Sequence, residues 1–237
     1  MDRVKVVTAG QGLNHVSASW DADYRAGRYA DDGPLPFVGT IVSTLEQHPQ
    51  LRGGHGLYVG CGNGRNYLPL VDAGLDLTGL DISAEALAQL AARRAGVESR
   101  LLCGDFRELG SAPAAFAYLI AIQVFQHGGD ADVATYFART AALLTPGGLF
   151  FLRVNSAATE VDHRHTVVDR NPSGGFTVRY DEGPKRGLLV HFSTREELLE
   201  RTNEHFTLVM EPSQHVVDRA PPKTGSWAQW EAVWRRR

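Results

Sequence analysis

The residues best suited to chemistry are three glycines at alternate positions, Gly60, Gly62 and Gly64, and two acids downstream, Asp81 and Asp105. The apolar run Leu57 to Val59 reads as a buried strand, and Tyr67 to Asp72 as the first turns of a helix. In the turn between them, glycine's missing Cβ permits positive φ and lets a ligand lie against the main chain. The N–H groups at the helix start face the same spot and favour polar or anionic ligand groups. A second apolar run, Leu75 to Leu80, ends in Asp81, where a nucleoside ribose would present its two hydroxyls. The third strand, Val97 to Leu102, leads into Cys103-Gly104-Asp105-Phe106. Asp105 is placed to accept from an adenine amino group, with Ile82 and Phe106 as apolar walls against the base. In an open parallel sheet the carboxyl ends of the strands share one edge, so the loop and both acids come into register. The pattern predicts a nucleoside cofactor.

These residues need a sheet to hold them. The 237 residues suit one α/β domain with an ample core. Leu35 to Gln47 has apolar residues at helical spacing, and Ser83 is a good N-cap for a helix over Ala84 to Ala95. A fourth strand spans Phe116 to Gln123, followed by the loop Val124 to Gly129. A helix over Asp130 to Leu144 closes at Thr145-Pro146-Gly147-Gly148, and Leu149 to Val154 is the fifth strand. The alternation then stops. Asn155 to Leu188 is polar, with a hairpin predicted from Phe176–Tyr180 to Leu188–Phe192. Ser193 should cap a helix over Thr194 to His205. Phe206 to Met210 and Trp227 to Trp234 are the sixth and seventh strands, the last with Trp230, Ala232 and Trp234 on one face.

The expected fold is therefore a doubly wound, mostly parallel seven-stranded sheet, Rossmann-like, with an N-terminal cap and an insertion after strand 5. Within a single domain over 1–237, residues 1–35 form the cap, 36–154 the cofactor-binding core, 155–192 the insertion and 193–237 the C-terminal helix and strands. A net charge of −3 leaves no electrostatic footprint for nucleic acid or an anionic membrane. The start of the chain lacks a long apolar segment, and the run Ala112 to Phe125 is too short to span a bilayer. Cys61 and Cys103 suit a reduced cytosol better than a disulfide scaffold. A cytoplasmic protein is expected.

The G-x-G-x-G spacing with Asp81, Cys103-Gly104-Asp105 and Leu144-Thr145-Pro146-Gly147-Gly148-Leu149 resembles the class I S-adenosylmethionine-dependent methyltransferases over Leu57 to Val154. The wording Cys61-Gly62-Asn63-Gly64-Arg65-Asn66 is similar to that family's small-molecule branch. The resemblance implies S-adenosylmethionine as cofactor and S-adenosylhomocysteine as product. It implies cofactor contacts at Gly60, Gly62, Gly64, Asp81 and Asp105, and Cys61, Asn66, Ile82 and Phe106 are further cofactor-binding candidates beside them. Gln123 and Val124 stand where such enzymes meet the transferred methyl. Relatives that methylate nucleic-acid amino groups carry Asp/Asn-Pro-Pro-aromatic there, and this chain reads Gln123-Val124-Phe125-Gln126, which points to a small-molecule acceptor.

Methyl transfer is an in-line displacement in which orientation supplies much of the rate. A hydroxyl acceptor also needs a base near neutrality, for which His127, His163, His165 and His191 are the candidates. For each, packing or surface exposure is the competing role. His163 and His165 lack a nearby acid or cysteine cluster, so no metal is predicted. Trp20 and Tyr24, in the aromatic and charged cluster Trp20 to Tyr29, either anchor the cap or face the sulfonium or the acceptor. A nicotinamide-dependent oxidoreductase and a non-catalytic S-adenosylmethionine-binding protein are the alternatives.

Overall fold

The computed structural model describes residues 5–6, 14–30, 32–221 and 224–237. Most of cap residues 1–13, with Asp31, lie outside the described residues. In chain order the elements begin with β1 (Lys5–Val6), α1 (Asn14–Arg25), α2 (Phe37–Glu46), α3 (Pro49–Arg52), β2 (His55–Val59) and α4 (Tyr67–Asp72). Next come β3 (Asp76–Asp81), α5 (Ala84–Arg93), β4 (Leu101–Cys103), β5 (Phe116–Ile122), α6 (Asp130–Leu143) and β6 (Leu144–Asn155). The chain closes with β7 (His165–Arg170), β8 (Phe176–Tyr180), β9 (Leu189–Phe192), α7 (Arg195–Thr202), β10 (Phe206–Asp218) and β11 (Ser226–Arg236).

The main sheet runs β1-β4-β3-β2-β5-β6-β11-β10, and β7-β8-β9 form a second sheet. The β1/β4, β4/β3 and β3/β2 pairs are parallel, while β11 is antiparallel to both β6 and β10. These are the seven expected strands in a Rossmann-like sheet, plus the two-residue β1 at one edge. The chain clusters into two compact units, residues 1–120 with 143–148, and residues 121–142 with 149–237.

In the first unit, β2 and β3 bury Leu57, Tyr58, Val59, Leu77 and Leu80, and α2 contributes Phe37, Ile41 and Leu45. Ser83 caps α5 as expected, its hydroxyl accepting from Ala86 N at 3.1 Å. The helix α1 has no strong apolar periodicity, and polar bonds dock it instead. Asp21 accepts from the Ser83 hydroxyl at 2.6 Å and Glu85 N at 3.1 Å, and Gln89 donates to Tyr24 O at 3.0 Å. The third strand is shorter than predicted, because Glu98–Arg100 form a 3₁₀ turn closed by Arg100 N donating to Val97 O at 2.9 Å.

In the second unit an aromatic stack sets the core. Phe125 lies 4.8 Å from Tyr136, and Phe150 lies 5.6 Å from Trp234, ring centre to ring centre. β7 was not foreseen, because five of its six residues are exposed and carry no alternation. The N-cap of α7 is Thr194 rather than Ser193: Thr194 Oγ1 accepts from Glu197 N at 3.1 Å. Ser193 is held in extended pairing, its N–H donating to Asn155 O and its carbonyl accepting from Ala157 N. β10 runs past its predicted end at Met210 because register shifts at Leu208/Met210 and Met210/Ser213 absorb Pro212. β6 starts at Leu144, so the predicted turn lies within the strand, and Gly147 at φ +80° takes up the kink.

Candidate active site

The glycine loop adopts the conformation that only its composition allows. Gly60, Gly62 and Gly64 have φ of +71°, +54° and +93°. Gly60 N and Cys61 N both donate to Leu80 O, at 2.7 and 3.1 Å, which ties the loop to the neighbouring strand. Gly62 N donates to Asp81 Oδ2 at 2.7 Å, and Ser83 N to Asp81 Oδ1 at 2.9 Å. Burial lifts the Asp81 carboxyl to about 6, even though these N–H groups favour its ionised form. A Cβ on Gly64 would sit 2.4 Å from Leu90 Cδ1, so that glycine serves close helix packing. At Gly62 the corresponding atom would meet the Tyr24 hydroxyl at 2.5 Å, so this phenol lies directly over the loop.

Other bonds close the cap segment over the loop. Asn63 donates to Tyr29 O at 3.4 Å, and Arg65 donates to Gly33 O at 2.6 Å while pairing with Asp32 at 3.0 Å. Asn66 Oδ1 accepts from Leu35 N at 2.9 Å, so its carbonyl turns toward the cap main chain. Burial, with Asp81 nearby, pushes the Tyr24 phenol up. Trp20 is half-buried on α1.

β4, β3 and β2 are adjacent and parallel, so the loop, Asp81 and Asp105 follow three neighbouring carboxyl ends, with Asp81 in register with Cys103. Asp105 Oδ1 accepts from Arg107 N at 2.6 Å, and the Arg107 guanidinium grips the carboxylate at 2.7 Å. Phe106 is buried beside it, and Ile82 is half-buried. Cys61 and Cys103 are free thiols, both raised by burial. Main-chain N–H groups, a loop with glycine at alternate positions and two buried acids at one sheet edge fit a nucleoside with vicinal hydroxyls. Arg107 competes for the Asp105 oxygens, a contact the sequence reading missed.

The other candidates belong to the second unit. Gln123, just after β5, has φ +59°, a left-handed conformation that is uncommon for a residue with a side chain and clusters at functional sites. Its N–H donates to Arg153 O at 2.7 Å, and its side-chain amide to Gln229 Oε1 at 3.0 Å. Gln229 Oε1 also accepts from Arg153 Nε at 2.7 Å, and Arg153 forms a buried ion pair with Glu231. None of Arg153, Gln229 and Glu231 was foreseen. Their signal was a charge or amide inside an otherwise apolar strand. Val124 is half-buried beside Gln123.

The four histidines do not form one group. Burial, reinforced by the Lys185 charge, lowers His127 to about 3 against a weaker opposing bond from the Gln123 main chain. At neutral pH it is an uncharged ring and a weak base. His191 is buried, with Nδ1 2.9 Å from Thr177 Oγ1 and Nε2 2.8 Å from Glu197 Oε1. With both nitrogens engaged inside the fold it is a core residue, which corrects its reading as a base. His163 meets Tyr180 edge-on at 6.2 Å, and His165 Nδ1 lies 2.8 Å from His163 O. Asp130, His191 and Glu197 bring ligand-type atoms within 4.8 Å of one another. The Arg201 guanidinium bonds both carboxylates of that cluster and already supplies its cation.

Comparison with known proteins agrees with this geometry. The family described as "Methyltransferase domain" matches residues 57–148. A ubiquinone biosynthesis O-methyltransferase of Coxiella burnetii is 31% identical over 127 residues, 52% of this chain and 53% of that protein. A cyclopropane-fatty-acyl-phospholipid synthase of Escherichia coli is 29% identical over 124 residues, 52% of this chain and 31% of that protein. The chain thus spans about half or less of these curated relatives. Among solved structures, 1,6-didemethyltoxoflavin-N1-methyltransferase of Burkholderia thailandensis, with 1,6-didemethyltoxoflavin and S-adenosylhomocysteine bound, superposes with a TM-score of 0.60 at 22% identity. The match covers 97% of this chain and 92% of that one. Magnesium protoporphyrin IX methyltransferase of Synechocystis, with S-adenosylmethionine bound, gives 0.64 at 14% identity, covering 97% and 99%. The oxidoreductase alternative gains no support from these matches. With its glycine loop and acid-tipped strands on this sheet, the chain has the fold of the class I S-adenosylmethionine-dependent methyltransferases, and its residues 57–148 match the methyltransferase domain family.

Proposed function

We propose that the protein is an enzyme that transfers the methyl group of S-adenosylmethionine to a small-molecule acceptor by in-line displacement. The observation that carries this reading is the Asp81 carboxylate, buried at a strand tip and bonded to Gly62 N at 2.7 Å across a loop of left-handed glycines. S-adenosylmethionine supplies the electrophilic methyl. The chain's own residues bind and orient. The main chain of Gly60, Cys61, Gly62 and Gly64 forms the floor, Asp81 accepts from the ribose, and Asp105 with Ile82 and Phe106 receives the adenine. Tyr24 and Trp20 of the cap, and Asn66 through its bond to the cap, close over the loop. Gln123 and Val124, which the resemblance sets near the transferred methyl, are assigned to the acceptor end of the site in the same proposal.

His127 contributes as a neutral ring rather than as a strong base, so an acceptor that needs no deprotonation by it suits this site best. His163 and His165 stand in the 155–192 insertion, which we assign to the acceptor pocket. The division into cap (1–35), core (36–154), insertion and C-terminal segment (193–237) of one domain is part of the same proposal. The two structural neighbours named above act on small molecules by their names, and a small-molecule acceptor is the extension to this chain. No helix among the described residues is long and apolar enough to cross a membrane. A cytoplasmic location, with no nucleic-acid or membrane partner, is part of the same proposal and rests on the acidic net charge and the two free cysteines.

Calorimetric titration with S-adenosylhomocysteine and, separately, NADH tests the cofactor. Binding of the first alone is expected, and binding of NADH alone would overturn the reading. Labelled S-adenosylmethionine with a panel of small phenols, amines, thiols and heterocycles then tests catalysis. Cofactor binding without any labelled product would favour the non-catalytic alternative.

A further inference from the structure

β10 is the outermost strand of the main sheet, and nothing among the described residues pairs with its free edge. Its two halves differ. Phe206 to Pro212 carries both register shifts, Glu211 and a proline that has no N–H to offer. These are devices that protect an edge from pairing with another chain. From Ser213 to Asp218 the pairing with β11 is regular, residue for residue, and all six side chains are exposed. Val216 and Val217 are 56% and 58% exposed, the highest among the large exposed apolar residues, and Trp227 opposite Val217 is 38% exposed. Beyond Gln229↔Asn155 the inner edge of β11 is held by residues 156–160, with Ser156 N and Glu160 N donating to Ala228 O and Ser226 O at 2.9 and 3.1 Å, so only the outer edge of this stretch is open.

We propose that Ser213–Asp218 of β10 is a self-association edge, whose occupant is the same strand of a second copy in antiparallel pairing. A twofold axis normal to the sheet keeps each side chain on its own face, so one residue must oppose itself. Centring on Val216 sets Val216 against Val216, His215 against Val217, Gln214 against Asp218 and Ser213 against Arg219. Every polar group then meets a neutral or complementary one. Centring on Val217 would set His215 against Arg219, and centring on His215 would set two histidines together. The Val216 register is thus the self-complementary one, and it makes the isologous contact that a closed dimer requires. The edge of the second sheet is a built-in control. β7 repeats Val-Val-Asp-Arg at 167–170, but a register shift interrupts it between Val167 and Asp169, and its valines are less exposed.

Light scattering of the full chain across a concentration series should show a dimer. Val216→Lys would place two ammonium groups on the axis, and it should raise the dimer dissociation constant at least tenfold while leaving S-adenosylhomocysteine affinity unchanged. Val168→Lys on β7 should leave the dimer intact. Val216→Cys should cross-link between chains under mild oxidation, because self-opposed Cα atoms in an antiparallel pair lie about 4.5–5.5 Å apart, within disulfide reach. A monomer at every concentration overturns the proposal. So does a dimer that survives Val216→Lys, or one that Val168→Lys breaks instead.

Discussion

Two buried carboxylates, one in each unit, respond to burial in opposite ways. Asp81 is met by the main-chain N–H groups of Gly62 and Ser83, and burial raises its pKa to about 6. Glu197 is buried too, yet His191 and Arg201 outweigh that burial and hold its carboxyl below the ordinary range. Neutral donors orient an acid without cancelling its charge, so Asp81 stays responsive to a ligand and to pH. The Arg201 guanidinium neutralises its acid and, with the His191 hydrogen bond, locks it, so Glu197 serves the fold. Burial alone does not distinguish a working group from a structural one. The charge of its partners does.

The sharpest way to break this comparison is to remove each acid. Glu197→Ala strands a buried His191 and Arg201 and should cost about 3–5 kcal/mol in urea unfolding, with S-adenosylhomocysteine affinity within twofold of wild type. Asp81→Ala should reverse that pattern. Its affinity loss should reach roughly a hundredfold in calorimetry, about 2.8 kcal/mol, with a smaller change in stability. Equal effects of the two substitutions on binding would erase the distinction.

Proton linkage sharpens it further. The raised Asp81 pKa means that the folded state holds a proton the unfolded state has released. Its stabilising contribution is full below the ordinary carboxyl pKa and is lost as pH rises through about 6. Glu197, held low, contributes above the ordinary glutamate pKa and loses that contribution as pH falls through its lowered value. S-adenosylhomocysteine affinity should therefore be flat above pH 7 and fall about tenfold per pH unit well below 6, as Asp81 protonates. Asp81→Asn should abolish that slope.

Smaller effects are expected at the histidines. With His127 lowered to about 3, the rate of methyl transfer to an acceptor found in the panel should show no inflection from it between pH 5 and 8. His127→Gln should cost less than about tenfold, whereas a general base would supply 10²–10⁴. His163→Ala, at the half-buried margin of the second sheet, should change stability by no more than about 0.5 kcal/mol in urea unfolding.

What could be read ahead of the structure followed local rules. Continuous apolar runs marked β2, β3, β5 and β6, the Ser83 cap marked α5, and the glycine spacing marked a left-handed turn. β7 carried no such signal, because an exposed strand has no buried face to impose alternation. α1 carried none because side-chain bonds to Ser83, Glu85 and Gln89 dock it rather than an apolar stripe. Thr194 displaced Ser193 as cap because Ser193 was already committed to Asn155.

The sequence by itself determined the sheet, its loop of left-handed glycines and the acids at its strand tips, because φ preferences and short runs of apolar residues act over a few positions. Only the tertiary structure decided which polar groups were already spoken for. Arg107 on Asp105, Glu197 on His191, the cap main chain on Asn66 and Gln229 on Gln123 are pairings fixed by packing across 2 to 106 positions of chain. The pKa of a buried group depends on those partners and on the water excluded with them, and no spacing of letters contains either.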